Sequence, residues 1–274
     1  MATSKEVAIF FYFWKKEIMK IILEKGNNSF EANLSQPLDI SIPLEAGDQT
    51  VNCFFAPPMQ TWPVVAGDFI GLRKYGPVNF LNIKLNPHGN GTHTECVGHI
   101  AKEKYSINQS LQNFHFFAKL ISVIPTEMEN GDHVILKEQL EPLFEKNEAE
   151  AIVIRTLPNK KKKLKKNYSG SNPTYVHYKA TQYLVDCGVQ HLLIDLPSVD
   201  REEDEGELLS HHTFWQYPKA TRENCTISEL IFVKDEISDG MYLLNISIAS
   251  FEIDVSPSKP VLYKLNRVYS ISPR

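Results

Sequence analysis

Three histidines and a carboxylate crowd the run His88-Gly89-Asn90-Gly91-Thr92-His93-Thr94-Glu95-Cys96-Val97-Gly98-His99. Imidazole nitrogens and a carboxylate together suit Zn²⁺, Mn²⁺ or Fe²⁺, and the glycines let the backbone pass close to an ion without side-chain clashes. If the segment is extended, alternation with period two puts His93, Glu95 and His99 on one face and turns Thr94 to the other. The spacing differs from the helical zinc signature His-Glu-x-x-His, so a strand end or loop is the expected setting. For any single histidine a solvated loop is the better explanation. Three beside a carboxylate bring metal binding level with it.

The rest of the composition narrows the classes. A chain of 274 residues with 42% apolar residues can bury a substantial core, and one large domain is expected. The net charge of −4 argues against a general nucleic-acid or anionic-membrane binder. Cys53, Cys96, Cys187 and Cys225 are scattered without paired spacing, which signals neither a disulfide framework nor a Cys-x-x-Cys zinc site and fits a reducing cytoplasm. The apolar run Val7 to Trp14 is too short to span a membrane, and Lys15-Lys16-Glu17 follows where a cleavage site would stand. Met19 heads Met-Lys-Ile-Ile-Leu, a strand-like opening. Residues 1–18 are therefore expected to be an extension outside the fold, with Met19 a rival start to Met1, and residues 19–274 to form the single domain.

The elements that must position the cluster are mostly strands. Ile21 to Leu23, Ser29 to Leu34, Leu38 to Pro43 and Val78 to Leu85 read as strands, the last leading directly into the histidines. Phe117 to Ile124 and the β-branched run Ala151 to Arg155 follow the same pattern, whereas Val134 to Phe144 has helical apolar spacing. The lysine run Lys160 to Lys166 lacks interleaved aromatics and reads as a solvated loop. A helix over Thr174 to Cys187, capped by Gly188, precedes a buried strand over Val189 to Leu196. That strand runs into Pro197-Ser198-Val199-Asp200, a carboxyl strand end of the kind at which α/β sheets build sites. Glu202 to Glu207 reads as an acidic helix start, and Ile227 to Val233 and Met241 to Ile248 as strands. The order argues for a mixed α/β domain.

Gly91-Thr92-His93-Thr94-Glu95-Cys96-Val97-Gly98-His99 resembles the His-x-Gly-Thr-His-x-Asp-x-Pro-x-His signature of the putative cyclase family, which includes bacterial kynurenine formamidases and isatin hydrolases. Asp195 to Asp200 is similar to its Asp-x-x-Ser-x-Asp turn, His211-His212 to its downstream histidine site, and Ser228-Glu229-Leu230 to its Glu-Asn-Leu strand. The resemblance covers roughly Leu38 to the C-terminus. It implies a swivelling β/β/α-type cyclase-like fold, with a mixed sheet, a β-barrel-like layer and flanking helices. It also implies a metal-dependent hydrolase of amide, formamide or cyclic amide bonds, holding one or two Zn or Mn ions, in a homodimer or homotetramer.

By position, His93 and Glu95 would be metal ligands and His99 the proton shuttle. His211 or His212, with Glu229, would complete the site, and Glu223 is the rival to Glu229. Three positions depart from the pattern. Gly89 stands at the first histidine, with His88 one residue earlier; Glu95 replaces aspartate; and Val97 replaces proline. A metal at such a site activates water and polarises the substrate carbonyl, and an imidazole, whose ordinary pKa is near ~6.5, can carry the proton to the leaving nitrogen. Trp62, Phe69 and Trp215 are candidate pocket walls, with plain core packing as the alternative for each. The rival functions are hydrolysis of a lactone or ester at the same site, and a non-catalytic metal- or ligand-binding protein on the same scaffold. No Gly-x-Ser-x-Gly elbow or Gly-rich nucleotide loop is present, so neither a serine hydrolase nor an organic cofactor is expected.

Overall fold

The protein is described from a computed structural model covering residues 18–268. The expected extension therefore lies, but for Ile18, outside the described residues. From Met19 onward the chain is tied in, since the Leu34 backbone N–H donates to the Met19 carbonyl and Lys20–Lys25 pairs antiparallel with Asn28–Asn33.

Four strands, His115–Val123, Ala151–Thr156, His191–Ile194 and Thr226–Glu229, pair in parallel in that order. Parallel strands are covered on both faces, which is why they read as apolar runs. Alternation divides their side chains between two cores. Ile152, Ile154, Leu192 and Ile194 pack with Ala180, Leu184 and Phe214 from the helices Tyr178–Asp186 and Leu209–Trp215. Ala151, Val153 and Leu193 pack instead with Leu120, Leu244 and Leu262. The second group faces the inside of a ring. Gly240–Ile248 joins the edge of the parallel set at His115–Val123, Val255–Val268 follows it, and His93–Glu95 pairs with both Val255–Val268 and Thr226–Glu229. The barrel-like layer is thus closed by the short strand that carries the histidine signature.

Several sequence expectations shift here. Val134 and Ile135 belong to a strand, His133–Ile135, parallel to Tyr175–Val176, and the helix is only Lys137–Leu140. Both residues are buried, and an apolar run at helical spacing serves a strand equally well when a neighbour supplies the ladder. The expected helix from Thr174 begins at Tyr178, where the His177 side chain accepts the Lys179 N–H, and ends at Asp186, with Gly188 just beyond it at φ +87°. Glu202 to Glu207 forms no helix, and Leu209–Trp215 starts after it. Lys163 is not part of a solvated loop, because its ammonium lies 2.7 Å from the buried Asp195 carboxylate. Among the described residues no helix is long and apolar enough to cross a membrane.

Candidate metal and active site

The site grows out of the ring closure. In the strand registers His93 lies opposite Glu229 on one side and Pro257 on the other, while Glu95 lies opposite Ile227 and Val255. Partners directly opposite share a face, so His93, Glu95 and Glu229 project together, whereas Thr94 turns the other way and its hydroxyl meets that of Ser228 at 2.7 Å. The Thr226–Glu229 strand ends abruptly at Leu230, held at φ +53° with its carbonyl accepting from the Thr92 hydroxyl. A strained residue fixed from both sides keeps Glu229 at the strand's very end. His99 closes the turn Val97–His99, whose Val97 is buried in the core that faces the helices.

The second half comes from the loop after His191–Ile194. Asp200 accepts the backbone N–H groups of Ser210 and His211, and its Oδ2 lies 2.6 Å from His211 Nδ1. One carboxylate thus receives the start of the Leu209–Trp215 helix and fixes the imidazole that helix carries. The Trp215 indole stacks under the same imidazole with ring centroids 5.5 Å apart.

The rings of His93, His211 and His88 each tie one nitrogen outward and turn the other inward. His93 Nδ1–H donates to the Gly91 carbonyl at 2.9 Å, leaving Nε2 3.3 Å from Glu229 Oε2. His211 Nδ1–H serves Asp200, leaving Nε2 3.2 Å from Glu95 Oε1. His88 Nε2 lies 2.9 Å from Asp254 Oδ2, leaving Nδ1 3.1 Å from Glu95 Oε2. His99 is held more loosely, its Nδ1 3.7 Å from Glu95 and 3.6 Å from Asp254.

Where an outward N–H is spent, a neutral ring points a lone pair at a carboxylate. That arrangement is stable only with a positive charge between the two. Protons supply it in the absence of a cation. His88 and His211 are both raised to about 10, burial being outweighed by Asp254 and Glu95 for His88 and by Asp200 and Glu95 for His211. Glu95 is sealed from solvent, yet the charges of His99, His211 and His88 overcome burial and hold it well below the usual carboxylate range. His88 and His99 hold Asp254 below that range in the same way.

A divalent ion fits better than protons at one place. His93 Nε2 and Glu95 Oε2 are buried and make no well-aligned hydrogen bond, although Glu229 Oε2 and His88 Nδ1 stand 3.3 and 3.1 Å from them, a costly state for two polar atoms. Donors each ~2.1 Å from an ion at tetrahedral to octahedral angles stand about 3.0–3.4 Å apart, the range of the inward contacts of His93, His211 and His88 at 3.3, 3.2 and 3.1 Å. Among the described residues three overlapping sets have ligand atoms close enough to share an ion: His88, His93 and Glu95; Glu95, His99 and His211; and His88, His99 and Asp254.

Not every residue expected at the site arrives there. The His212 ring stacks on Tyr217, and its Nδ1 meets the Tyr217 carbonyl, so of the histidine pair only His211 joins the cluster. Glu229 is present, whereas the carboxylate of Glu223 lies at the Tyr105 hydroxyl. Trp215 is fully buried and donates its indole N–H to the Cys225 carbonyl, which makes it a support beneath His211 rather than a wall open to a substrate. Trp62 and Phe69 lie on an arm built from Gln60–Pro63, Val65–Ala66, Phe69–Ile70 and Leu81–Lys84, and neither makes a ring contact with the histidines among the described residues. Gly89 carries no side chain because a Cβ there would run into the Ala56 methyl. Asp200 was visible as part of a polar strand end and of the turn that resembles Asp-x-x-Ser-x-Asp, with no role given to it, and Asp254 was missed. Its one sequence signal is the alternation Phe251-Glu252-Ile253-Asp254-Val255, the pattern of a half-buried strand edge.

The sequence model of the Putative cyclase family matches residues 33–201, more than half of the chain, and the chain belongs to that family. The kynurenine formamidase of Bacillus cereus (strain ATCC 10987 / NRS 248) is 25% identical over 232 residues, covering 84% of this chain and 95% of the relative. Among solved structures, a potential metal-dependent hydrolase with cyclase activity superposes with a TM-score of 0.61 at 16% identity, over 83% of this chain and 97% of the other. Isatin hydrolase A from Labrenzia aggregata gives 0.61 at 12% identity, over 83% and 93%. These likenesses bear out the cyclase-like α/β fold.

Proposed function

We propose that this protein is a metal-dependent hydrolase that opens an amide, formamide or cyclic amide C–N bond, as the names of its formamidase and isatin hydrolase relatives suggest. The observation that carries the reading is the pair of buried atoms without a well-aligned hydrogen bond, His93 Nε2 and Glu95 Oε2, within a cluster of four histidines and three further carboxylates. His93, Glu95, His88, His211 and Glu229 would hold one or two ions of Zn or Mn. Such an ion lowers the pKa of water and polarises a carbonyl.

The chain's own residues do the rest. His93 and His211 are sealed, with side chains at most 3% exposed, whereas the His99 side chain is 31% exposed and only loosely held. His99 therefore takes a proton from the water that attacks the carbonyl carbon. As the C–N bond breaks, it returns that proton to the leaving nitrogen. Asp200 keeps His211 oriented throughout, and Glu229, whose Oε1 also accepts the Val199 N–H, fixes the loop that carries Asp200.

The arm leaves Trp62, Val65, Phe80, Leu81 and Ile83 between 44% and 64% exposed, an apolar surface suited to a second copy of the chain in a homodimer or homotetramer. Four free, buried cysteines suit a reducing cytoplasm. The test is hydrolysis of an aryl formamide and a cyclic imide by Zn- and Mn-loaded protein. Turnover abolished by a chelator and restored by the ion supports the reading, and metal-loaded protein that turns over no C–N substrate contradicts it.

A further inference from the structure

We propose that Asp254 is the positioning residue that makes His88 a metal ligand, an inference that rests on the metal-dependent reading above. His88 sits in the turn that follows Leu81–Lys84 with its side chain 24% exposed, and its ring packs against those of His99 and His93, with centroids 4.5 and 5.3 Å apart, which leaves the choice of tautomer to its hydrogen bonds. The rings of His93 and His211 are held by packing and by a tied outward nitrogen, to the Gly91 carbonyl and the Asp200 carboxylate. For His88 the outward nitrogen is Nε2, and Asp254 Oδ2 meets it at 2.9 Å. With that N–H spent, the lone pair of Nδ1 faces Glu95 Oε2 at 3.1 Å, the atom that makes no well-aligned hydrogen bond. A metal-bound imidazole characteristically gives its other N–H to a carboxylate, which selects the tautomer and strengthens the ligand.

The ring of strands is what delivers Asp254. Its backbone carbonyl accepts the Cys96 N–H at 2.9 Å, and the next residue, Val255, stands in register with Glu95. The carboxylate is therefore anchored to the strand that bears His93 and Glu95, although it lies more than 150 residues further along the chain. Its other near nitrogen, His99 Nδ1 at 3.6 Å, is beyond hydrogen-bonding distance. Asp254 thus acts on His88 first, and His99 keeps the freedom a proton carrier needs.

The experiment is a metal titration by chelator competition on wild type, His88→Ala, Asp254→Ala, Asp254→Asn and the double variant His88→Ala/Asp254→Ala, with the Co²⁺ absorption spectrum as a second readout and thermal melting as a fold control. Loss of an orienting carboxylate should weaken binding about 10- to 100-fold in Asp254→Ala. Asp254→Asn, whose amide oxygen still accepts the N–H, should recover part of that. The double variant should bind no more weakly than His88→Ala, because the aspartate acts through the imidazole. Wild-type affinity in Asp254→Ala, or a double variant weaker than His88→Ala by the full Asp254→Ala factor, overturns the proposal and leaves the hydrolase reading intact. Wild type that binds no metal overturns the hydrolase reading itself.

Discussion

Asp200 and His211 meet at 2.6 Å, and the same carboxylate accepts the first backbone N–H groups of the helix that carries His211. Helix start and ligand orientation are one interaction, so neither can be lost alone. Asp200→Ala should free the His211 ring and weaken metal binding about 10- to 100-fold, with partial recovery in Asp200→Asn, as read by metal titration. Unchanged affinity in both would dissociate His211 from the ion.

His99 is assigned to proton transfer and not to holding the ion. His99→Ala should keep the wild-type metal content while its kcat falls about 10²- to 10⁴-fold with KM little changed. Elemental analysis beside steady-state kinetics separates the two roles. Loss of metal together with turnover would make His99 a ligand.

Stripped of metal, the cluster would hold its charge with protons, and this has a pH signature. His88 and His211 are raised from 6.5 to about 10 in the folded chain, so their pairing stabilises fully below pH 6.5 and is lost as pH rises through about 10. Chelator-stripped protein should therefore lose Tm progressively across that window. A bound ion takes the place of the protons, so metal-loaded protein should lack this loss, and loading at neutral pH should release about two protons per site. Thermal scans across pH and a titration in weak buffer check the two halves.

Lys163 has a structural task that its lysine-rich neighbours lack. Its ammonium reaches Asp195 Oδ2 at 2.7 Å and the Thr156 carbonyl at 2.7 Å, with both side chains largely buried. Lys163→Ala should destabilise by about 3–5 kcal/mol, because Asp195 is left buried without its cation, and Lys163→Ala/Asp195→Asn should recover part of the loss. Lys161→Ala, on the exposed part of the same run, should stay within about 0.5 kcal/mol. Denaturant unfolding reads all three.

Much of the site was legible because its residues lie close in sequence on a strand. Alternation alone places His93 and Glu95 on one face, and a carboxylate inside a buried strand, Glu229, needs a partner. Asp254 was not legible, because only the pairing of Val255–Val268 with His93–Glu95 brings it there, and Pro257 and Pro260 argue against any strand in that stretch. Pro257 is tolerated opposite His93 in the three-residue strand that closes the ring. The aromatic residues stayed open between pocket wall and core packing for a different reason. Burial and side-chain direction, which separate Trp215 under His211 from Trp62 on the exposed arm, depend on tertiary packing that spacing does not encode.

The most direct measurement is the metal-to-protein ratio, by elemental analysis, of wild type and His93→Ala purified without chelator. At least one Zn or Mn per chain is expected in wild type, and its loss in His93→Ala, with the fold preserved. No metal in either protein, or equal metal in both, would contradict that expectation.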